Sequence, residues 1–266
     1  MSDIDGYVYV IENLSIIVYK LKQSSLFCST NMSLFYELCF GLYLYLYVND
    51  YLQKLQIDLS KNTAFKTIVF CHNMGLSLFS GYIFYNGLQV MTTKTWYDIY
   101  GYSSQTLIYD PTFYQLVHYF YLSKYYEFVD TWINHLKRRD PGFLQVYHHV
   151  GAVIMMGMGY HYHVQSIWLF LMFNSFVHTV MYMYYALTTL KCKISCKSLL
   201  TSLQIAQLVS GVCAAWYYVL FTKMNRIQFV GCLMNVLYLK GLIYLFMVFY
   251  NKTYKPKDHV IEQKQE

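Results

Sequence analysis

Seven stretches of the chain are dominated by apolar residues, near 33–50, 67–91, 112–134, 146–164, 166–187, 201–221 and 228–250. Each is roughly 18 to 25 residues long, enough to cross a bilayer as an α-helix. The stretch 7–19 is apolar but shorter, and reads as an interfacial helix. Residues 252–266 are polar and read as a disordered tail. The pattern predicts an all-α membrane protein of about seven transmembrane helices. Its parts are an N-terminal segment 1–32, a membrane domain 33–251 and a tail 252–266.

Polar residues interrupt the apolar runs in four places. The run KYYEFVDT sets Lys124, Glu127, Asp130 and Thr131 at i, i+3, i+6 and i+7, which a helix gathers on one broad face. His148 and His149 open the fourth segment, close after Gln145. Asn174, His178, Met181 and Tyr185 recur at helical spacing on the fifth, and Thr201, Gln204 and Gln207 on the sixth. Ionisable groups at membrane depth are costly unless they pair or line a wet cavity, so they mark function by default. The clusters predict a polar chamber inside the membrane.

Each cluster also has a plainer reading. Lys124, Glu127 and Asp130 suit an ion-pair network that holds helices together. The basic run Lys137-Arg138-Arg139 follows within two turns, however, where a polyanionic soluble substrate would enter, and this favours a role in the chamber. Asn174, His178, Gln204 and Gln207 suit interhelical glue. Adjacent helical histidines point about 100° apart, so at most one of His148 and His149 aims straight into a given cavity. An imidazole serves as general base, nucleophile or metal ligand, and this pair alone does not choose among them. Lys240 reads as a carboxylate partner or a snorkelling residue, and His72, His118 and His135 have no assigned task.

Composition agrees with the membrane reading. Hydrophobic residues make up 56% of the 266 and charged residues 13%, too apolar for a soluble domain. The 31 tyrosines fit a bilayer interface, where the ring is buried and the hydroxyl wetted. A net charge of +6 would suit nucleic acid, but the basic residues are scattered in short groups between helices, which argues against that partner. Of the 20 Lys and Arg, 13 fall in connections 1–2, 3–4 and 5–6 and the tail, against 5 in the N-terminus and the other connections. That asymmetry predicts a lumenal N-terminus and a cytosolic C-terminus. Asn13 and Asn31 then lie in lumenal sequons. The seven cysteines form no CxxC pair, and no nucleotide-binding glycine signature is present.

Taken in order, the four clusters resemble the signature of the ELO family of very-long-chain fatty acid elongases. The family's K-x-x-E-x-x-D-T stands as KYYEFVDT (124–131) and its H-x-x-H-H box as QVYHH (145–149). Its N-x-x-x-H-x-x-M-Y-x-Y-Y stands as NSFVHTVMYMYY (174–185), and its T-x-x-Q-x-x-Q as TSLQIAQ (201–207). The match spans roughly 66–257. Gln145 replaces the first box histidine, as in members that resemble polyunsaturated-acyl elongases of lower eukaryotes. The tail lacks a double lysine for retrieval to the endoplasmic reticulum.

The resemblance implies a condensing enzyme of the endoplasmic reticulum membrane, an acyltransferase that joins acyl-CoA and malonyl-CoA to 3-oxoacyl-CoA, CO2 and CoA. No cofactor or metal is implied. The partners are the two CoA substrates, membrane lipids and the other enzymes of the elongation cycle; a homodimer is compatible with it. His148, His149, His178 and Asn174 are the implied catalytic residues, with His148 as nucleophile or general base. Lys124, Glu127, Asp130, Thr131, Gln145, Tyr182, Tyr185, Gln204 and Gln207 are the implied substrate-binding residues, with an acyl tunnel between the helices. Other classes compete. A di-iron desaturase or hydroxylase needs more histidine boxes than this chain has. A retinal protein would use Lys240 and Asp130 and leave two motifs idle. A lipid-binding relative without activity is the quieter alternative.

Overall fold

The computed structural model describes residues 32–94 and 110–254. The interfacial helix expected at 7–19, the sequons at Asn13 and Asn31, and residues 255–266 lie outside them. Eight helices follow in order: α1 Met32–Leu55, α2 Thr63–Lys94, α3 Pro111–Tyr126, α4 Phe128–Leu136, α5 Gly142–Tyr162, α6 Ile167–Thr189, α7 Lys197–Phe221 and α8 Arg226–Tyr254. The described residues include no strand.

Every expected span is helical, with two differences. The third is two helices, α3 and α4, meeting at Glu127. There the ladder tightens: the Asp130 N–H donates to the Glu127 carbonyl, three residues back (3.1 Å). Such local tightening of a helix is frequent at functional sites. A second, smaller difference is at the C-terminal end, where α8 runs on to Tyr254 and takes up the first residues of the expected tail.

Local chemistry explains the helix ends. Asp110 caps α3, its carboxylate accepting from the N–H groups of Thr112 and Phe113 at 3.0 Å, with Pro111 in the first turn. The helices α1, α4 and α6 each lead into a residue in the left-handed region, Gln56, Arg138 and Lys191. These three turns hold the basic connections, and two are tied together. Leu59 N–H donates to the Leu136 carbonyl (2.8 Å) and Arg138 donates to Gln56 Oε1 (3.1 Å). Asp58, in the same turn as Gln56, has its carboxyl held below the usual range by the Ser60 N–H and hydroxyl.

Four helices, α2, α6, α7 and α8, are long and apolar enough to cross a membrane on length and composition alone. In α1 and α5 the polar residues dilute the same pattern, and α3 and α4 divide one span between them. Outward faces carry large apolar side chains, among them Phe40, Tyr43, Leu220, Phe221, Leu237 and Tyr244. In water such a surface would aggregate, whereas in lipid it is the solvated face. The protein is therefore a multi-pass membrane protein.

Packing is tightest where side chains are small. The most extensive helix contact is α2 on α6, where Ser77 donates to the Thr179 carbonyl (2.8 Å) and Gly81 faces the Thr179 side chain. Small residues and hydroxyl bonds let helices approach where lipid offers no hydrophobic drive. On the other side, Gly151 of α5 lies directly against the Tyr238 ring of α8. A Cβ at this position overlaps that ring. Gly151→Ala is expected to cost about 1–3 kcal/mol by overpacking, seen as a lower midpoint in thermal unfolding of the detergent-solubilised protein; an unchanged midpoint would contradict the packing.

Candidate active site

Three of the four motif side chains of KYYEFVDT, on both sides of the break at Glu127, face α6. Lys124 meets Asn174, Glu127 lies beside His178 and Asp130 meets Tyr182, in step along α6 as helical spacing predicts, while Thr131 turns to α1 and α5. Lys124 and Glu127 turn to α6. The Lys124 ammonium donates to Glu127 Oε1 (2.6 Å) and to Asn174 Oδ1 (3.0 Å), and lies 4.0 Å from the centre of the Phe120 ring. Lys124, Glu127 and Asn174 are almost wholly buried. A buried ion pair holds together only where further hydrogen bonds complete it, and Asn174 supplies one.

Asp130 joins two helices. Its Oδ1 is 2.8 Å from His72 Nε2 on α2, and its Oδ2 accepts from the Tyr182 hydroxyl on α6 (2.6 Å). Thr131 is fully buried and shares a hydrogen bond with the Tyr45 hydroxyl on α1 (3.0 Å). It also accepts from Gln145 Nε2 on α5 (3.2 Å), while Gln145 Oε1 accepts from Asn134 Nδ2 (2.9 Å). Gln145 thus bridges α4 and α5 with both ends of its amide.

The two box histidines diverge as their spacing predicts. His149 is buried between the rings of Tyr45 and Phe128, at 6.4 and 6.3 Å. His148 is partly exposed and faces His178, the ring centres 6.3 Å apart. Beneath it the Tyr238 hydroxyl donates to the His148 carbonyl (3.0 Å). His178 is buried with Nδ1 at 3.5 Å from Glu127 Oε1, too long for a good hydrogen bond. Three buried polar atoms here, Glu127 Oε2, His149 Nδ1 and His178 Nδ1, have no hydrogen-bond partner. Buried polar atoms are nearly always satisfied, so three without a partner so close together single this cluster out.

The remaining predicted residues stand further off. Gln204 donates to Met181 Sδ (3.0 Å), and Gln207 Oε1 is buried without a hydrogen-bond partner. Thr201 bonds with the Tyr254 hydroxyl (3.2 Å). Tyr185 is exposed at one edge, its ring 6.3 Å from that of Tyr182. Lys240 lies on the outer surface, 6.0 Å from the Trp216 ring centre, which suits snorkelling. Asp130 is engaged by His72 and Tyr182, so nothing pairs it with Lys240 as a retinal site requires. Among the described residues no three His, Cys, Asp or Glu side chains are grouped as ligands of one metal ion.

Sequence reasoning missed Tyr45, His72, Asn134 and Tyr238. Tyr45 is one of 31 tyrosines, and Tyr238 acts through a backbone carbonyl, so neither carries a distinctive signal. His72 did offer one, as an ionisable residue within an apolar span.

The ELO: GNS1/SUR4 family model matches residues 21–260. Fatty acid elongase sre1 of Dictyostelium discoideum is 38% identical over 114 residues, 42% of either chain. Fatty acid elongase A of the same organism is 36% identical over 101 residues, 37% of each. Very long chain fatty acid elongase 5 of Xenopus tropicalis is 29% identical over 216 residues, 71% of this chain and 66% of that one. The alignments thus span less than two thirds of the length of each of these relatives.

Proposed function

We propose, from the premise that the chain belongs to the ELO (GNS1/SUR4) family, that it is the condensing enzyme of fatty acid elongation in the endoplasmic reticulum membrane. The observation that carries this reading is the pairing of a partly exposed His148 with a buried His178, beside the Lys124–Glu127–Asn174 cluster and its unsatisfied polar atoms. The basic turns at Lys61 and Lys137–Arg139 flank the same end and suit the phosphates of CoA.

The chemistry divides into two steps. A His148 ring nitrogen attacks the acyl-CoA thioester. A C–N bond forms, the C–S bond breaks, and CoA leaves with the proton that the imidazole loses. Malonyl-CoA then loses CO2, and the electron pair of the broken C–C bond attacks the acyl-imidazole carbon. The C–N bond breaks, 3-oxoacyl-CoA departs, and His148 takes one proton from solvent. Asn174 and His178 orient malonyl-CoA and stabilise the developing oxyanion. Lys124 and Glu127 set the field and hold Asn174. The acyl tail runs along α5 away from His148, between the helices. Gln145, bridging α4 and α5 next to the box, is where a preference for polyunsaturated chains would be set.

The test supplies labelled malonyl-CoA and a panel of saturated, monounsaturated and polyunsaturated acyl-CoAs to membranes carrying the protein. Labelled 3-oxoacyl-CoA is expected, together with a mass increase at His148 when acyl-CoA is given alone. A folded, inserted protein that condenses nothing would instead be a lipid-binding relative.

A further inference from the structure

His72 belongs to none of the four motifs, yet it holds Asp130, a carboxylate that faces both α2 and α6. Its ring is buried, with Nε2 2.8 Å from Asp130 Oδ1 and Nδ1 3.3 Å from the Tyr126 hydroxyl. With Asp130 ionised, Nε2 carries a proton and donates, and Nδ1 accepts from Tyr126 in the neutral ring. The second Asp130 oxygen accepts from Tyr182, whose ring stands edge-on to that of His178, the centres 5.4 Å apart. His178 has no good hydrogen bond at Nδ1 to fix its plane. Its orientation therefore rests on packing, and Tyr182 is one wall.

We propose that His72 is a positioning residue for the malonyl half of the reaction, acting through Asp130 and Tyr182 on His178. Asp130 is partly exposed, its side chain 22% accessible. A carboxylate with one donor removed turns towards water, and Tyr182 follows it. This chain of contacts reaches the His148 ring only by way of His178, 6.3 Å away between ring centres, and the His148 backbone is held separately from α8 by Tyr238. The inference rests on the two-step reading above, and it assigns His72 to the second step alone. A purely structural His72, tying α2 to α4, would weaken both steps together.

The test uses the full-length protein in lipid nanodiscs, with His72→Phe to fill the space without a donor and His72→Gln to restore an N–H. CoA released on acyl-CoA alone reports the first step, and 3-oxoacyl-CoA formed on adding malonyl-CoA reports the second. His72→Phe is expected to release CoA within about threefold of the wild type and to lose about ten- to a hundredfold in the second step, the scale set by a misplaced group. His72→Gln is expected to recover most of that loss. Equal losses in both steps, no loss in either, or a Gln variant as poor as Phe would overturn the assignment. A wild type that condenses without prior CoA release sinks the covalent step only. The proposal is then judged by kcat, which Phe must lower at unchanged KM for acyl-CoA and Gln must restore. A wild type that forms no product overturns both readings.

Discussion

His148→Ala is expected to abolish condensation, by about a thousandfold or more, while the protein still folds and inserts. Losing a nucleophile or base that acts in every turnover carries a penalty of this order, and a thousandfold corresponds to about 4 kcal/mol of transition-state stabilisation. Folding should survive because the side chain is partly exposed and the hydrogen bond from Tyr238 is received by the backbone carbonyl. The check is product formation from labelled malonyl-CoA, normalised to folded protein by size-exclusion chromatography in detergent. Trapping separates the two roles open to the imidazole. A covalent acyl adduct in the wild type, absent from the variant, marks the nucleophile. Lost turnover with no adduct in either marks a general base. Undiminished condensation in His148→Ala would remove His148 from the chemistry altogether. His149→Ala tests the neighbouring ring, which lies buried against Tyr45 and Phe128. A smaller loss is expected there, about tenfold, through a shifted box.

The helices were legible because membrane spans declare themselves by length and apolarity. The site was legible as far as its residues were ionisable or amide-bearing at helical spacing, which singled out Lys124, Glu127, Asp130, Gln145, Asn174 and His178. What spacing does not contain is the break at Glu127. The segment 112–134 has no Pro or Gly, so nothing local predicts that its turn tightens. The face towards α6 was legible in the spacing of Lys124, Glu127 and Asp130, whereas Thr131, one residue on, turns to Tyr45 and Gln145. Contacts between helices distant in sequence, such as Tyr45 with Thr131 or His72 with Asp130, depend on how whole helices pack. One tyrosine or histidine in an apolar run does not encode its partner. Gln204 and Gln207 show the converse, since their spacing marks a face of α7 but not what that face meets.

Lys124 and Glu127 carry the second large effect, and it falls on stability. Both side chains are at most 3% accessible, and each is the other's counter-charge. Lys124→Met keeps most of the volume but leaves the Glu127 carboxylate buried beside a neutral side chain, with its second oxygen already unpartnered. Breaking a buried pair by removing one partner costs about 3–5 kcal/mol, because a lone charge is left in low dielectric. Within a bilayer there is little water to relieve it. The single variant should therefore show a clearly lower unfolding midpoint in detergent, or fail to accumulate in membranes. The double variant Lys124→Met with Glu127→Gln removes both charges at once and should recover most of that loss, since an uncharged pair of similar volume has no lone ion to accommodate. The two substitutions would then be strongly non-additive, as expected for groups in direct contact. Activity should not return with stability. Asn174 loses the ammonium that fixes its amide oxygen, and His178 loses the carboxylate 3.5 Å from its Nδ1. A stable but inactive double variant would place the pair in the chemistry of the site as well as in the fold. A double variant that is both stable and fully active would reduce it to helix glue, and additive losses in stability would show that the two charges do not depend on each other.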